Sequence, residues 1–100
     1  MTSERRRYAR RDATLAVTLT TPTGRYEGFT ENVSYTGLLV QGLGEIPASG
    51  LECEVEVDLL TGILKAQGLV TRVTPKENRY AVDLTHLIQN GQLLLAFVLG

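Results

Sequence analysis

The stretch Leu51-Glu52-Cys53-Glu54-Val55-Glu56-Val57-Asp58-Leu59, residues 51–59, alternates apolar with acidic residues at every step. A period of two places the apolar residues on one face of a β-strand and the acids on the other. The stretch therefore predicts a strand with one face in the core and the other in water. The acidic face also discourages pairing with a foreign sheet edge.

Five further segments predict strands of similar length around this one. Residues 13–21, 25–33, 37–41, 63–74 and 79–84 are rich in apolar and β-branched residues, with turn signals between them and Gly28 as a candidate bulge. From His86 onward the apolar residues fit a helical stripe with Thr85 as N-cap, and Gly91 weakens the helix so that it starts late or kinks. The sequence therefore predicts a mainly β fold, a six-stranded antiparallel β-barrel with a C-terminal α-helix.

Chain length and composition limit the class of protein. A chain of 100 residues is the size of one domain with a modest core, so a deep catalytic cleft is not expected. The longest apolar run, Leu93–Leu99, is far shorter than the about 20 residues of a membrane span, and no apolar segment follows the basic N-terminus as in a secretory signal. The single cysteine, Cys53, agrees with a cytoplasmic location.

The charges are distributed unevenly along the chain. Residues 1–12 carry five arginines against Glu4 and Asp12, a balance of +3, whereas the remaining residues carry five basic and nine acidic side chains. Arginine offers a planar fork of donors that binds phosphate or the O6/N7 edge of guanine. We therefore expect a flexible arginine-rich arm over residues 1–12, followed by a single barrel domain with its helix over residues 13–100.

The sequence gives little support to catalysis or metal binding. His86 is the sole histidine, and Ser34 lacks the glycine two residues before it that a nucleophile elbow needs, because Asn32 stands there. Neighbouring acids on one face of the 51–59 strand lie about 6.8 Å apart, too far to surround one ion easily. We expect no enzyme activity, no metal site and no cofactor, and we expect Cys53 to be an inert core residue.

The segment Asn32-Val33-Ser34-Tyr35-Thr36-Gly37 lies between two predicted strands. Its asparagine and serine can bond local backbone groups and hold a tight turn, and Gly37 permits a positive φ and close approach by a ligand. The same polar side chains on a barrel rim suit the edge of a nucleobase. The segment alone leaves both the turn and the binding site open.

Two motifs, Arg6-x-x-x-Arg10 near the N-terminus and Asn32-x-Ser34-x-x-Gly37 between two predicted strands, together resemble the signature of the PilZ family of cyclic di-GMP receptors. Arg6 and Arg10 match its Arg-x-x-x-Arg arm, Asn32, Ser34 and Gly37 match its Asp/Asn-x-Ser-x-x-Gly strand, and Arg5 matches an extra arginine that many members carry. The resemblance implies a barrel of this length with a terminal helix, arm arginines that clasp phosphates and guanine edges, and a strand that reads guanine and the sugar-phosphate backbone. It also implies that Arg5 favours a stacked ligand pair.

The chain departs from the family pattern at two places. Ala81-Val82-Asp83-Leu84 replaces a Gly-Val-x-Phe-like strand, and Arg11 stands where an apolar residue is common. The resemblance implies a cytoplasmic receptor that binds cyclic di-GMP, changes its arm conformation and signals to an effector protein, as a monomer or a ligand-dependent homodimer. The alternatives are an interaction module of the same fold that binds no nucleotide, and a barrel that binds single-stranded nucleic acid. The acidic body and scattered aromatic residues disfavour the latter.

Overall fold

The computed structural model describes residues 9–100. Within that range the chain forms seven strands, one 3-10 turn and one helix. The elements are β1 (Arg10–Asp12), β2 (Ala16–Thr21), β3 (Gly24–Ser34), β4 (Gly37–Gly42), β5 (Glu52–Asp58), β6 (Ile63–Thr74), the 3-10 turn (Pro75–Glu77), β7 (Arg79–Gln89) and α1 (Gly91–Leu99).

Six of the strands close into an antiparallel barrel in the order β3-β2-β5-β6-β7-β4, and β4 pairs back with β3. The additional strand β1 pairs with β3 alone. This confirms the predicted fold class, a six-stranded barrel with a single C-terminal helix. None of the helices in residues 9–100 is long and apolar enough to cross a membrane.

The barrel interior is filled by the apolar side chains that alternation predicts. In β5, Cys53, Val55 and Val57 are buried while the acids between them are exposed. Helix α1 lies against the barrel and buries Leu94 and Val98 in the same core. Burial raises the pKa of the Cys53 thiol to about 11, so the thiol stays neutral near neutral pH, as an inert core residue should.

The helix begins five residues after the position predicted from the apolar stripe. His86–Gln89 continue β7, because they pair with the first half of β6, whose backbone groups would otherwise lack partners along that edge. Helix α1 begins only at Gly91, after Asn90 in the left-handed conformation. The Asn90 side chain does not cap the helix but donates to the Ile63 carbonyl at 2.7 Å. Thr85 is therefore not the N-cap.

The predicted boundary between arm and barrel is also different. Arg10–Asp12 form a strand rather than part of a flexible arm, and β2 begins at Ala16 rather than residue 13. The buried Thr30 hydroxyl holds the intervening segment, accepting from the Leu15 amide at 2.9 Å and donating to the Ala13 carbonyl at 2.6 Å. β1 and β2 thus follow the same edge of β3 in succession.

Candidate ligand site at the β1–β3 corner

Residues of the two sequence motifs lie on paired strands, with Arg10 on β1 and with Asn32 and Ser34 on β3. In the antiparallel β1–β3 pair, Arg10 is opposite Ser34, Arg11 is opposite Val33 and Asp12 is opposite Asn32. Opposite residues of an antiparallel pair share one face of the sheet. Arg10 and Asp12 therefore share the outer face with Ser34 and Asn32, although the paired residues are 24 and 20 positions apart in sequence.

A β-bulge at Glu31 decides that Asn32 faces outward. Gly28 and Thr30 point into the barrel, so uninterrupted alternation would turn Asn32 inward as well. The β3–β4 register instead shifts between Thr30 and Asn32, and Val33 takes the next buried position. The bulge predicted at Gly28 is therefore misplaced. A side chain at Gly28 would collide with the Gln41 carbonyl, so close approach of β4 explains that glycine.

The bulge is held by a salt bridge that passes over β4. Both carboxylate oxygens of Glu31 accept from the Arg79 guanidinium on β7 at 2.9 Å, and Arg79 also donates to Glu77 at 2.8 Å. These bonds to Glu31, followed by its charge, raise the pKa of Arg79 above its ordinary value, with Glu77 adding less. The bidentate geometry fixes the Glu31 side chain in one orientation at the bulge.

A second bulge, at Thr71 of β6, acts on Arg72 in the same way. Leu64, Ala66, Gly68 and Val70 point inward, and an unbroken strand would carry Arg72 inward too. The β6–β7 register shifts between Val70 and Arg72, which leaves Arg72 exposed on the outer face opposite Ala81. A charged residue thereby avoids the cost of burial without a partner.

Strand pairing aligns these residues in two rows across the sheet. The first row follows the successive pairs Asp12, Asn32, Leu39, Ala81 and Arg72 over five strands. The second row contains Arg10, Ser34, Gly37 and Asp83. Neighbouring strands lie about 4.8 Å apart. Taken together, the two rows place Arg10 at the β1 end and Arg72 at the β6 end. The half-buried Leu39 and Ala81 lie between these two arginines.

Ser34 builds the turn between β3 and β4. Its hydroxyl accepts from the amides of Thr36 and Gly37 at 3.2 and 3.0 Å and lies 3.2 Å from the Gly37 carbonyl. This is the local side-chain turn that the sequence suggested. Gly37 does not adopt a positive φ. Its lack of a side chain matters because a Cβ there would lie 2.9 Å from the Val82 carbonyl of β7.

The two rows surround a shallow pocket of about 240 Å³. The polar and charged side chains that line it are those of Arg10, Asn32, Ser34, Thr36, Arg72 and Asp83, and Gly37, Leu39 and Ala81 contribute its uncharged surface. Within residues 9–100, neither Arg10 nor Arg72 forms a salt bridge with a carboxylate. The pocket therefore presents two guanidinium groups beside one carboxylate, a small polar set and a flat floor.

The structure brings together four of the six residues predicted for this site: Arg10, Asn32, Ser34 and Gly37. Arg5 and Arg6 lie outside the described residues, so their assignment stays a prediction. Sequence reasoning missed Arg72 and Asp83. In β6 the buried Val70 is followed three residues later by the half-buried Val73, a spacing that breaks the period of two. This break was the available signal that Arg72 faces outward.

The described residues contain no cluster of three His, Cys, Asp or Glu side chains that could hold a metal ion. The Ser34 hydroxyl is engaged in its turn, and His86 is exposed on β7, paired in register with Gln67 rather than with any residue of the pocket. Of the five aromatic residues within 9–100, Tyr80 is buried, Tyr26 and Phe97 are half-buried, and Phe29 and Tyr35 are exposed.

Comparisons with known proteins agree with the barrel fold. A family model described as the PilZ domain matches residues 4–100. The chain is similar to the Bacillus subtilis inhibitor of motility (MotI/DgrA), with a TM-score of 0.78 and 22% identity over 97% of this chain and 51% of that one. It is also similar to the PilZ domain of CeSA from a cellulose-synthesising bacterium, with a TM-score of 0.67 and 21% identity over 91% of this chain and 95% of that one. These structural similarities show the fold, and the chain spans about half the length of MotI. No curated protein matches the chain in sequence.

Proposed function

The chain belongs to the PilZ domain family, and we propose that it is a cytoplasmic receptor that binds cyclic di-GMP at the β1–β3 corner and passes the signal to a partner protein without catalysing a reaction. The observation that carries the proposal is the register of β1 on β3. It places Arg10 beside Ser34, and Asn32 and Gly37 line the same pocket.

The chemistry of the pocket suits a ligand with two phosphates and two guanines. Guanidinium groups form charge-assisted hydrogen bonds with phosphate and bind the O6/N7 edge of guanine. Arg10 and Arg72 enter from opposite ends of the two rows, which supports contacts at two separate points of such a ligand. The Asn32 amide and the Asp83 carboxylate supply acceptors for the N–H groups of a guanine base.

The floor of the pocket supports a flat ring. Leu39 and Ala81 are neighbours on the outer face of β4 and β7, and both are partly accessible and uncharged. Gly37 has no side chain that would project above this apolar surface. A purine placed there would cover apolar surface while its edges meet polar groups, as in most small-molecule sites.

The pocket of about 240 Å³ is smaller than the roughly 300–1,000 Å³ of sites that enclose a ligand. We therefore assign the remaining contacts to Arg5 and Arg6, the two predicted site residues outside the described range. An arm that orders over the ligand loses conformational entropy, which the charge-assisted bonds must exceed, and the ordered arm offers a new surface to a partner. The likeness to MotI, named an inhibitor of motility, supports a motility protein as the first partner to examine.

Isothermal titration with cyclic di-GMP tests the proposal, with GTP and a short single-stranded oligonucleotide as control ligands. We expect saturable binding near micromolar, about -8 kcal/mol, and none for the controls. The Arg10→Ala variant should lose about 10- to 100-fold in affinity, because hydrogen bonds to charged groups contribute about 1.5–3 kcal/mol. Arg25→Ala, which removes an exposed arginine at the other end of β3, should bind as the native protein does.

The absence of binding by folded protein would contradict the receptor function. The barrel would then be an interaction module that binds no nucleotide. Binding of the oligonucleotide in place of cyclic di-GMP would instead identify a nucleic-acid protein.

A further inference from the structure

Strand β1 presents its two faces to different parts of the molecule. Arg10 lies on the outer face with Ser34 and lines the pocket. Arg11, the next residue, lies opposite the fully buried Val33 and therefore on the face directed toward the core. An arginine at this position cannot enter the core without an unpaired buried charge, so its side chain extends to the surface of helix α1.

The contact of Arg11 with α1 has two components. The guanidinium carbon lies 4.3 Å from the centroid of the Phe97 ring, within the range of a cation–π interaction. The same group donates through Nη1 to the Phe97 carbonyl at 2.8 Å. One side chain of β1 thus contacts both the ring and the backbone of a residue that is 86 positions away in sequence.

This contact supplies what α1 lacks at its C-terminal end. The last four carbonyls of a helix have no partner within the helix, and the helix dipole favours a positive charge there. Helix α1 has no basic residue in its last turn. The Gly100 amide bonds the Ala96 carbonyl, and Arg11 bonds the next one, that of Phe97.

Strand β1 in turn depends on contacts beyond its backbone pairing. It has three residues, all exposed, and it pairs along one edge only. So short an edge strand is marginal by itself. Helix α1 is anchored in the core through Leu94 and Val98, so its Phe97 offers a fixed support for Arg11.

We propose that Arg11 is a positioning residue of the ligand site: it holds β1 on helix α1, so that ligand bound at Arg10 and the packing of α1 on the barrel stabilise each other. This inference rests on the proposed function for its ligand. The coupling is reciprocal, because an interaction that strengthens one event by a given factor strengthens the other by the same factor. Occupancy of the pocket thereby reaches the exposed side of α1, which carries Leu95 and Leu99.

Hydrogen exchange of the α1 amides, measured with and without saturating cyclic di-GMP, tests the coupling in the whole chain. In the native protein the ligand should slow exchange at Leu95–Leu99 by about fivefold, the lower end of common coupling factors, because the contact is exposed. Arg11→Ala should speed exchange of these amides without ligand, remove the ligand's effect on them and weaken binding about fivefold. Arg11→Lys, which keeps a donor and a cation, should restore part of each.

Phe97→Leu is the second variant, because it removes the ring while keeping the apolar contact with the core. Combined with Arg11→Ala, it should weaken binding by less than the product of the two separate factors. Arg25→Ala is the matched control and should change neither readout.

The outcomes separate the coupling from the receptor function. Native binding by Arg11→Ala, with ligand-independent exchange at α1 in the native protein, would overturn the coupling and leave the receptor function intact. A native protein that takes up no cyclic di-GMP, while Arg11→Ala still releases α1, would overturn the receptor function and the ligand's part in the coupling together.

Discussion

Two regions of the same barrel are built on opposite principles. The β5 wall is strand β5 between its neighbours β2 and β6, and the β1–β3 corner is the pocket lined by Arg10, Asn32, Ser34 and Arg72. β5 pairs along both edges, with β2 and β6, and each residue from Glu52 to Asp58 obeys the alternation of exposed and buried positions. At the corner, β3 and β6 each carry a bulge that breaks alternation and turns Asn32 and Arg72 outward. Regular alternation builds the wall, and these two interruptions turn polar groups of the pocket outward.

This difference predicts that substitutions in the wall change stability, whereas substitutions at the corner change affinity. The largest effect is expected for Leu19→Ala in β2, next to β5, because Leu19 is fully buried. Removing its side chain should lower the free energy of unfolding by about 2–5 kcal/mol through lost burial and a cavity. Urea unfolding measures this loss. The folded fraction should bind cyclic di-GMP with native affinity, and a parallel fall in affinity would remove the distinction between the two regions.

Ser34→Ala tests whether stability and ligand affinity are fully independent at the corner. The Ser34 hydroxyl both holds the β3–β4 turn and lines the pocket, so this one residue should affect both readouts. We expect affinity to fall by about 1–3 kcal/mol and stability by about 1 kcal/mol. Ser49→Ala, which removes a serine hydroxyl from an exposed loop outside the pocket, is the control. Unchanged affinity in Ser34→Ala would exclude Ser34 from the ligand contacts.

Alkaline pH should lower the stability of the barrel. The pKa of Cys53 rises from 9.0 to about 11 through burial, and that of Tyr80 rises from 10.0 to about 12 through burial and, secondarily, through Cys53. The folded protein therefore holds protons that the unfolded chain releases. Stability should be constant below about pH 9 and then fall with rising pH, by on the order of 1 kcal/mol per pH unit for each group.

Urea unfolding at pH 8, 9 and 10 measures this dependence of stability on pH. Cys53→Ala should reduce the fall in stability between pH 9 and 10, because Tyr80 contributes most at higher pH. An unchanged slope in Cys53→Ala would contradict the assignment.

The sequence predicted the wall because a single physical pattern specifies it. In β5 the apolar residues alternate without a break from Leu51 to Leu59, and both β5 and β6 were predicted at or within one residue of their observed ends. His86–Gln89 were misassigned to the helix because their apolar spacing fits both periods, and pairing with β6 decides between them. Pairing with a distant strand leaves no signal in the local sequence.

The corner could be predicted only in part. Arg10, Asn32, Ser34 and Gly37 were identified through a family resemblance, since the segment 32–37 alone favoured an ordinary turn. Arg72 joins them only because the β4–β7 and β6–β7 registers align it in a row with Asn32. That alignment depends on a bulge at Thr71, and bulges are recognised from the paired strand rather than from the residues themselves.

The most direct test of this account is therefore the affinity of Arg72→Ala for cyclic di-GMP, measured by titration calorimetry beside Arg25→Ala. Both variants remove one exposed arginine from the barrel, but only Arg72 lies in the pocket. We predict about a 10-fold loss of affinity or more for Arg72→Ala, with native unfolding behaviour, and no loss for Arg25→Ala. Equal affinities for the two variants would contradict a ligand site built by the bulges of the barrel.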